Sequence, residues 1–354
     1  MNINAPLSIR RRMGLEIFRR LENERTEEHQ LKQLFWECTL RCNLHCRHCG
    51  SDCKKIAGHP DMPKEDFLRV LDSVSAQNDP HKIFVIITGG EPLMRKDLEE
   101  CGRAIYERGF PWGMVTNGLY MTRERLNGLL DAGLHTATVS LDGFATDHNW
   151  MRGNPQSFER AVEAIKLMVQ VPDFVFDVVT CVNKHSYMRL EELKDFLISL
   201  GVKGWRLFTI FPVGRAAKDP ELQLSNEEFR GVMEFIRKSR KEGRIHVSYG
   251  CEGFLGNYEA EVRDTFFACR AGISVGSVLI DGAISACPSI RADYHQGNIY
   301  ENDFMEVWNH RFKPYRDREC ADCKYFRFCK GNGMHLRDEN GDLLFCHLKR
   351  LQTP

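Results

Sequence analysis

Six runs rich in β-branched and aromatic residues, at 34–37, 83–88, 113–116, 136–141, 174–182 and 205–211, alternate with amphipathic helical stretches through the first two thirds of the chain. The helical stretches include "PKEDFLRVLDSVSAQ", "RKDLEECGRAIYERG", "TRERLNGLLDAG", "SFERAVEAIKLMVQ" and "RLEELKDFLISLG". Gly109, Gly133 and Gly201 stand just past helix ends, where a left-handed cap is wanted. Serial strand–helix alternation leaves few folds open. It predicts an α/β architecture with a parallel sheet and right-handed crossovers, and it places ligands at the carboxyl ends of the strands.

The short motifs fall at those ends. "RCNLHCRHCG" follows the first run, "TGGEP" the second, "TNG" the third, and "SLDG" closes the fourth. Taken singly, the last three are ordinary turn or strand-end chemistry. In this order, on successive strand ends behind Cys42, Cys46 and Cys49, they describe one site. The 14 cysteines cluster rather than spread, with five between positions 38 and 53 and seven from 251 onward, which reads as metal chemistry rather than a disulfide framework. Cys38 and Cys53 flank the triplet and read as ordinary thiols. Lys plus Arg equals Asp plus Glu at 49 each, so no bulk charge points to nucleic acid. The start has no apolar secretion signal, and no apolar run is long enough to cross a bilayer, so a cytoplasmic location and no integral membrane segment are expected.

With that spacing, residues 31–215 resemble the radical S-adenosylmethionine (SAM) superfamily. The resemblance implies a partial (β/α)6 TIM-type barrel. It also implies a [4Fe–4S] cluster held by Cys42, Cys46 and Cys49, with one iron left for the amino and carboxylate groups of SAM. An electron from the cluster then breaks a carbon–sulfur bond of SAM and releases a 5′-deoxyadenosyl radical. By the same resemblance His48 packs near the adenine, Gly89, Gly90, Glu91 and Pro92 form the loop that meets the methionine amino group, and Asn117, Ser140 and Arg152 contact ribose or carboxylate. A surface salt bridge is the alternative for Arg152. At Gly90 the expectation is close backbone approach to SAM, so that valine there blocks the ligand more than the cluster. No catalytic acid or base is assigned.

The last third follows another pattern: Cys269, twelve residues, Gly282, four residues, Cys287, then Cys320, two residues, Cys323, five residues, Cys329, and finally Cys346. This resembles the SPASM extension of radical SAM enzymes and implies one or two auxiliary [4Fe–4S] clusters. One would be held by Cys320, Cys323, Cys329 and Cys346, the other by Cys269, Cys287 and Cys251. A zinc site at Cys320 and Cys323 is the rival reading. The family has a further cysteine four positions after Cys329, where this chain has Gly333, so the first auxiliary site lacks its closing thiolate. Water, substrate or a side chain such as His335 would then fill it. Pro288 stands where sulfatase-maturing relatives carry an aspartate, which removes support for formylglycine chemistry.

The expected organisation is a helical segment at 1–30, the core at 31–215, a linking helical segment at 216–250 with its helix near 226–242, and a SPASM-like domain at 251–354. In the first segment Ile9, Met13, Ile17 and Leu21 recur every four residues, which predicts an amphipathic helix packed beside the barrel, with a membrane-surface or partner-binding helix as the alternative. The favoured function is radical modification of a peptide or protein substrate, encoded nearby, with electrons from a reductant such as flavodoxin or ferredoxin. The alternatives are a tetrapyrrole or other small cofactor precursor, since "LFTIFPVGRA" resembles the sixth strand of SPASM relatives that act on haem-like tetrapyrroles and peptide-derived cofactors, and a non-catalytic iron–sulfur or zinc-binding scaffold.

Overall fold

The computed structural model describes residues 7–290, 294–312, 320, 322–338 and 340–353. The predicted runs become parallel strands β1 (Gln33–Thr39), β2 (Phe84–Gly89), β3 (Trp112–Thr116), β4 (Leu134–Ser140), β5 (Val175–Val182) and β6 (Gly204–Thr209), each paired with the next. Period-two alternation sorts their side chains. In β1, Leu34, Trp36 and Cys38 point outward into the helix layer and are buried, with Trp36 stacked on Phe67 at 4.5 Å. Phe35, Glu37 and Thr39 take the inner face. The helices between strands, from Lys64–Ser75 to Leu190–Ser199, bury their apolar faces on that outer layer, so the inner face and the strand ends are left for chemistry.

The barrel is partial and the sheet stays open. Among the described residues it runs on past both edges of the six-stranded core in the order β10-β9-β8-β1-β2-β3-β4-β5-β6-β7. The strand β7 (His246–Tyr249) pairs parallel to β6, inside the segment expected to be a helical link. The helix there is present as Asn226–Glu242, started by a Ser225/Glu228 capping box and ended at Gly243 in the left-handed region. On the other edge, β8 (Val275–Val278) pairs parallel to β1, while β9 (Ala283–Ser285) and β10 (His295–Asn298) continue antiparallel. The cysteine-rich third is therefore hydrogen-bonded into the sheet beside β1, next to the strand that delivers the cysteine triplet.

The N-terminal helix α1 (Ile9–Glu28) forms, but its predicted face is wrong. Ile9, Met13, Ile17 and Leu21 are exposed, and the buried residue is Leu15, which packs with Phe254, Phe267 and Leu348 of the cysteine-rich third. Arg11–Glu261, Arg270–Glu22 and Arg327–Glu16 ion pairs hold the helix on that surface rather than on the barrel. No described helix is long and apolar enough to cross a membrane.

Candidate active site

Two close backbone contacts build the site. A Cβ on Gly89 would run into the carbonyl of Thr39, and one on Gly90 into the carbonyl of Arg41, so "TGG" lies directly on the backbone that leads to Cys42. Gly90 N–H donates to Thr39 O at 2.7 Å and Glu91 N–H to Arg41 O at 2.9 Å. Gly90 thus permits a close approach to the cysteine loop itself, besides lining the cavity where SAM is expected. From the far side, Gly214, with φ +60, lets the segment after β6 touch the carbonyls of Cys49 and Gly50, and Arg215 donates to Cys46 O at 2.7 Å. The cysteine loop is clamped from both sides.

Cys42, Cys46, Cys49, His48, Gly89, Gly90, Glu91, Asn117, Ser140 and Arg152 line one cavity of about 180 Å³. Of the predicted residues only Pro92 lies off it, opening a short 3₁₀ turn, Pro92–Met94. Glu91 is a brace: its buried carboxylate accepts from Thr116 Oγ1 and Asn117 N, both at 2.7 Å, and from Leu93 N at 3.1 Å, locking the second strand end to the third. Asn117 donates to Asn43 Oδ1 at 2.8 Å and lies 3.9 Å from Cys42 Sγ.

Arg152 is no surface residue. It is 7% exposed, donates to Asp142 Oδ2 at 2.6 Å and places Nη1 3.7 Å from Cys46 Sγ. Burial opposes the charge on each partner, yet the pairing wins: the guanidinium is held protonated and Asp142 stays ionised, its pKa at about 2. Asp142 and Arg215 are site residues that the sequence motifs did not single out, and Cys53, expected to be an ordinary thiol, joins them. Asp142 sat inside the quoted "SLDG" and Arg215 inside "LFTIFPVGRA". Cys53 shares the cavity, and a hydrogen bond from its thiol is the main cause holding Cys49 at about 5.

The donor set suits an iron–sulfur cluster. Burial pushes Cys42 up to about 12 and raises Cys46, with Arg152 the chief opposing charge at Cys46. Such thiols become thiolates when a metal compensates them. His48, kept neutral with a pKa of about 4 by burial and then by Arg152, has its Nδ1 buried without a partner at the cavity wall. His48, Asp142 and Cys181 also converge closely enough to chelate a cation, but Arg152 already neutralises Asp142 there.

A second space, about 200 Å³, joins this site to the cysteine-rich third. It is lined by Glu37 and Thr88 on the strand ends, Ser51 on the cysteine loop, Phe211 after β6, and Pro288 and Ser289 just after Cys287. Glu37 is buried, and one of its oxygens accepts from Ile280 N at 3.1 Å. Beyond this space the late cysteines fall into two groups. Burial is the largest cause raising the Cys287 thiol, to about 12, and the neighbouring Cys251 and Cys269 raise it further. Burial likewise raises Cys329 to about 12, with Cys346 and Cys320 adding to it, and Cys323 N–H donates to Cys320 O at 2.9 Å. The two predicted ligand sets are thus gathered separately. Glu252 and His347, each next to a cysteine of a different set, bridge them: Glu252 accepts from Thr209, Tyr249 and His347 in a fully buried network.

A family model described as the radical SAM superfamily matches residues 36–197, and one described as an iron–sulfur cluster-binding domain, SPASM, matches residues 269–325. The chain is 27% identical to an AdoMet-dependent heme synthase of Methanosarcina barkeri, over 87% of this chain and 93% of that protein. It is 26% identical to the mycofactocin maturase MftC of Mycolicibacterium smegmatis, over 85% of this chain and 77% of the other. Among solved structures, Streptococcus suis SuiB bound to its precursor peptide SuiA superposes with a TM-score of 0.70 at 19% identity, over 89% of this chain and 75% of that one.

Proposed function

Because the chain is a radical SAM enzyme with a C-terminal SPASM iron–sulfur domain, we propose that it abstracts hydrogen from an unactivated carbon of a ribosomally made peptide or protein. Bound cluster and SAM together supply the chemistry, an electron and the 5′-deoxyadenosyl radical it releases. The chain's own residues supply the rest. Cys42, Cys46 and Cys49 would hold the cluster, His48 and Asn117 would orient SAM, and Arg152, neutralised by Asp142, would steady the charge beside Cys46. The substrate carbon would enter the space between Ser51, Phe211 and Ser289, where Glu37 is placed to receive a proton as the substrate radical is oxidised. Cys320, Cys323, Cys329 and Cys346, and separately Cys251, Cys269 and Cys287, would carry that electron away.

One observation carries the choice of a peptide. Five arginines around the barrel mouth and interior, Arg41, Arg47, Arg152, Arg206 and Arg215, are each paired with an aspartate of the chain: Asp61, Asp219, Asp142, Asp177 and Asp52 respectively. A tetrapyrrole bearing several carboxylates needs uncompensated cations, because burying unpaired carboxylates is costly. A largely uncharged peptide segment does not. The tetrapyrrole reading is favoured by the heme synthase similarity, which extends over most of both chains.

The two readings separate in one experiment. Reduced enzyme and SAM are incubated with a uniformly deuterated peptide pool, or with iron coproporphyrin. Deuterium appearing in 5′-deoxyadenosine, with no change in the porphyrin absorption band, is the expected result. A shifted band together with decarboxylated porphyrin product would overturn the peptide assignment.

A further inference from the structure

Gly333 occupies the position of the missing thiolate, and its surroundings show what stands there instead. The turn at 333–335 is pinned between two of the three gathered cysteines. Gly333 N–H donates to the carbonyl of Glu252, next to Cys251, at 3.1 Å, and Met334 N–H donates to Cys269 Sγ at 3.5 Å. With φ −68 the backbone at Gly333 suits any residue, so glycine is not there for its conformational freedom. Space forbids the side chain. A Cβ at Gly333 would lie 2.7 Å from Glu252 O, and 2.7 Å and 3.0 Å from Cε1 and Nδ1 of His335. The imidazole fills the volume in which a residue-333 thiolate would begin.

His335 has the properties of a ligand rather than of a packing residue. Its ring lies 5.1 Å from that of Phe211, which lines the space assigned to the substrate. Among the described residues no hydrogen bond uses its ring nitrogens, whereas the neighbouring His347 is bonded through Nε2 to Tyr249 and Glu252. A half-buried imidazole in its neutral form offers a lone pair to iron.

We propose that His335 closes the first auxiliary cluster, so that its ligands are Cys251, Cys269, Cys287 and one imidazole nitrogen. This rests on the SPASM reading and deepens it. Replacing a thiolate by a neutral imidazole removes one negative charge from the ligand set and raises the reduction potential, as histidine ligation does in other iron–sulfur proteins. The cluster nearest the substrate then becomes the better acceptor of the substrate's electron. It also follows that Gly333→Cys does not simply restore the family ligand, because the new side chain must displace His335 and collide with Glu252.

The test uses the full chain carrying Cys42→Ala, Cys46→Ala and Cys49→Ala, so that auxiliary clusters alone are observed, with ¹⁵N-histidine labelling. After anaerobic reconstitution and reduction, pulsed electron paramagnetic resonance is expected to show a directly coordinated histidine nitrogen that follows the isotope. His335→Ala should abolish it, and added imidazole should restore it. If about eight irons per chain, four per cluster, are present without that coupling, His335 is not a ligand and the proposal fails. If only about four irons are present, the first site holds no cluster, and the SPASM reading of that site fails with it. The labelled protein with His335 intact carries the decision even if His335→Ala does not fold.

Discussion

At the scale of single residues, the most informative position is Gly90. "TGGEP" was legible as a functional loop because glycines recur where backbones must approach closely, but the sequence does not say which partner approaches. One partner is the carbonyl of Arg41, one residue before Cys42. Gly90→Val is therefore expected to lower iron content by about four atoms per chain, one cluster, along with SAM binding; full iron content with SAM binding alone lost would return the contact to the ligand. His148 gives a pH prediction. It is buried, accepts from Asp142 N at 3.0 Å through Nδ1, and has its pKa lowered to about 3, first by burial. In the unfolded chain it titrates near the usual value of about 6.5. Between those values the unfolded state binds one more proton, so stability is full above pH ~6.5 and falls as pH drops toward ~3, by about 1.4 kcal/mol per unit. His148→Gln keeps an acceptor for Asp142 N and should remove about one proton from that slope, measured by urea unfolding between about pH 6 and 4.5. At Glu37, glutamine should leave SAM cleavage running while modified product falls, seen as 5′-deoxyadenosine released in excess over product. Coupled loss of both would place Glu37 in SAM binding instead.

At the scale of elements, the strands β1 to β6 were readable because each is a compact β-branched or aromatic run bounded by turn residues. The strand β7 was not. His246–Tyr249 is short, and its edge pairing to β6 depends on a partner some forty residues earlier. The face of α1 was misread for a related reason. A four-residue apolar stripe suggests the buried side, but the surface that α1 meets is itself studded with charges, and Arg11, Glu16 and Glu22 find partners there while Leu15 supplies the apolar contact. Ile9→Ser and Ile17→Ser should thus change stability by less than ~0.5 kcal/mol. Leu15→Ala should cost about 2–4 kcal/mol through the cavity it leaves. Thermal unfolding of the variants checks both. A large loss from the serine pair would mean the stripe is packed after all.

At the scale of the whole molecule, the continuous sheet explains how two chemistries share one chain. Pairing of β8 with β1 carries the late cysteines to the edge from which the early triplet projects, and the space bounded by Glu37, Phe211 and Ser289 lies between them. Cysteine spacing made both regions recognisable, because metal ligands on a loop are a local signal. Asp142 and Arg215 stayed hidden because their meaning comes from residues brought next to them by folding, Arg152 and Cys46, whereas His335 was legible only as one of several candidates beside Gly333. The account stands on a division of labour, with SAM cleaved only at the triplet and the later cysteines holding separate iron. The direct measurement is anaerobic 5′-deoxyadenosine formation by the variant in which Cys42, Cys46 and Cys49 are all alanine, alongside its iron content. The account predicts no 5′-deoxyadenosine and about eight irons retained. Continued SAM cleavage by that variant would contradict it.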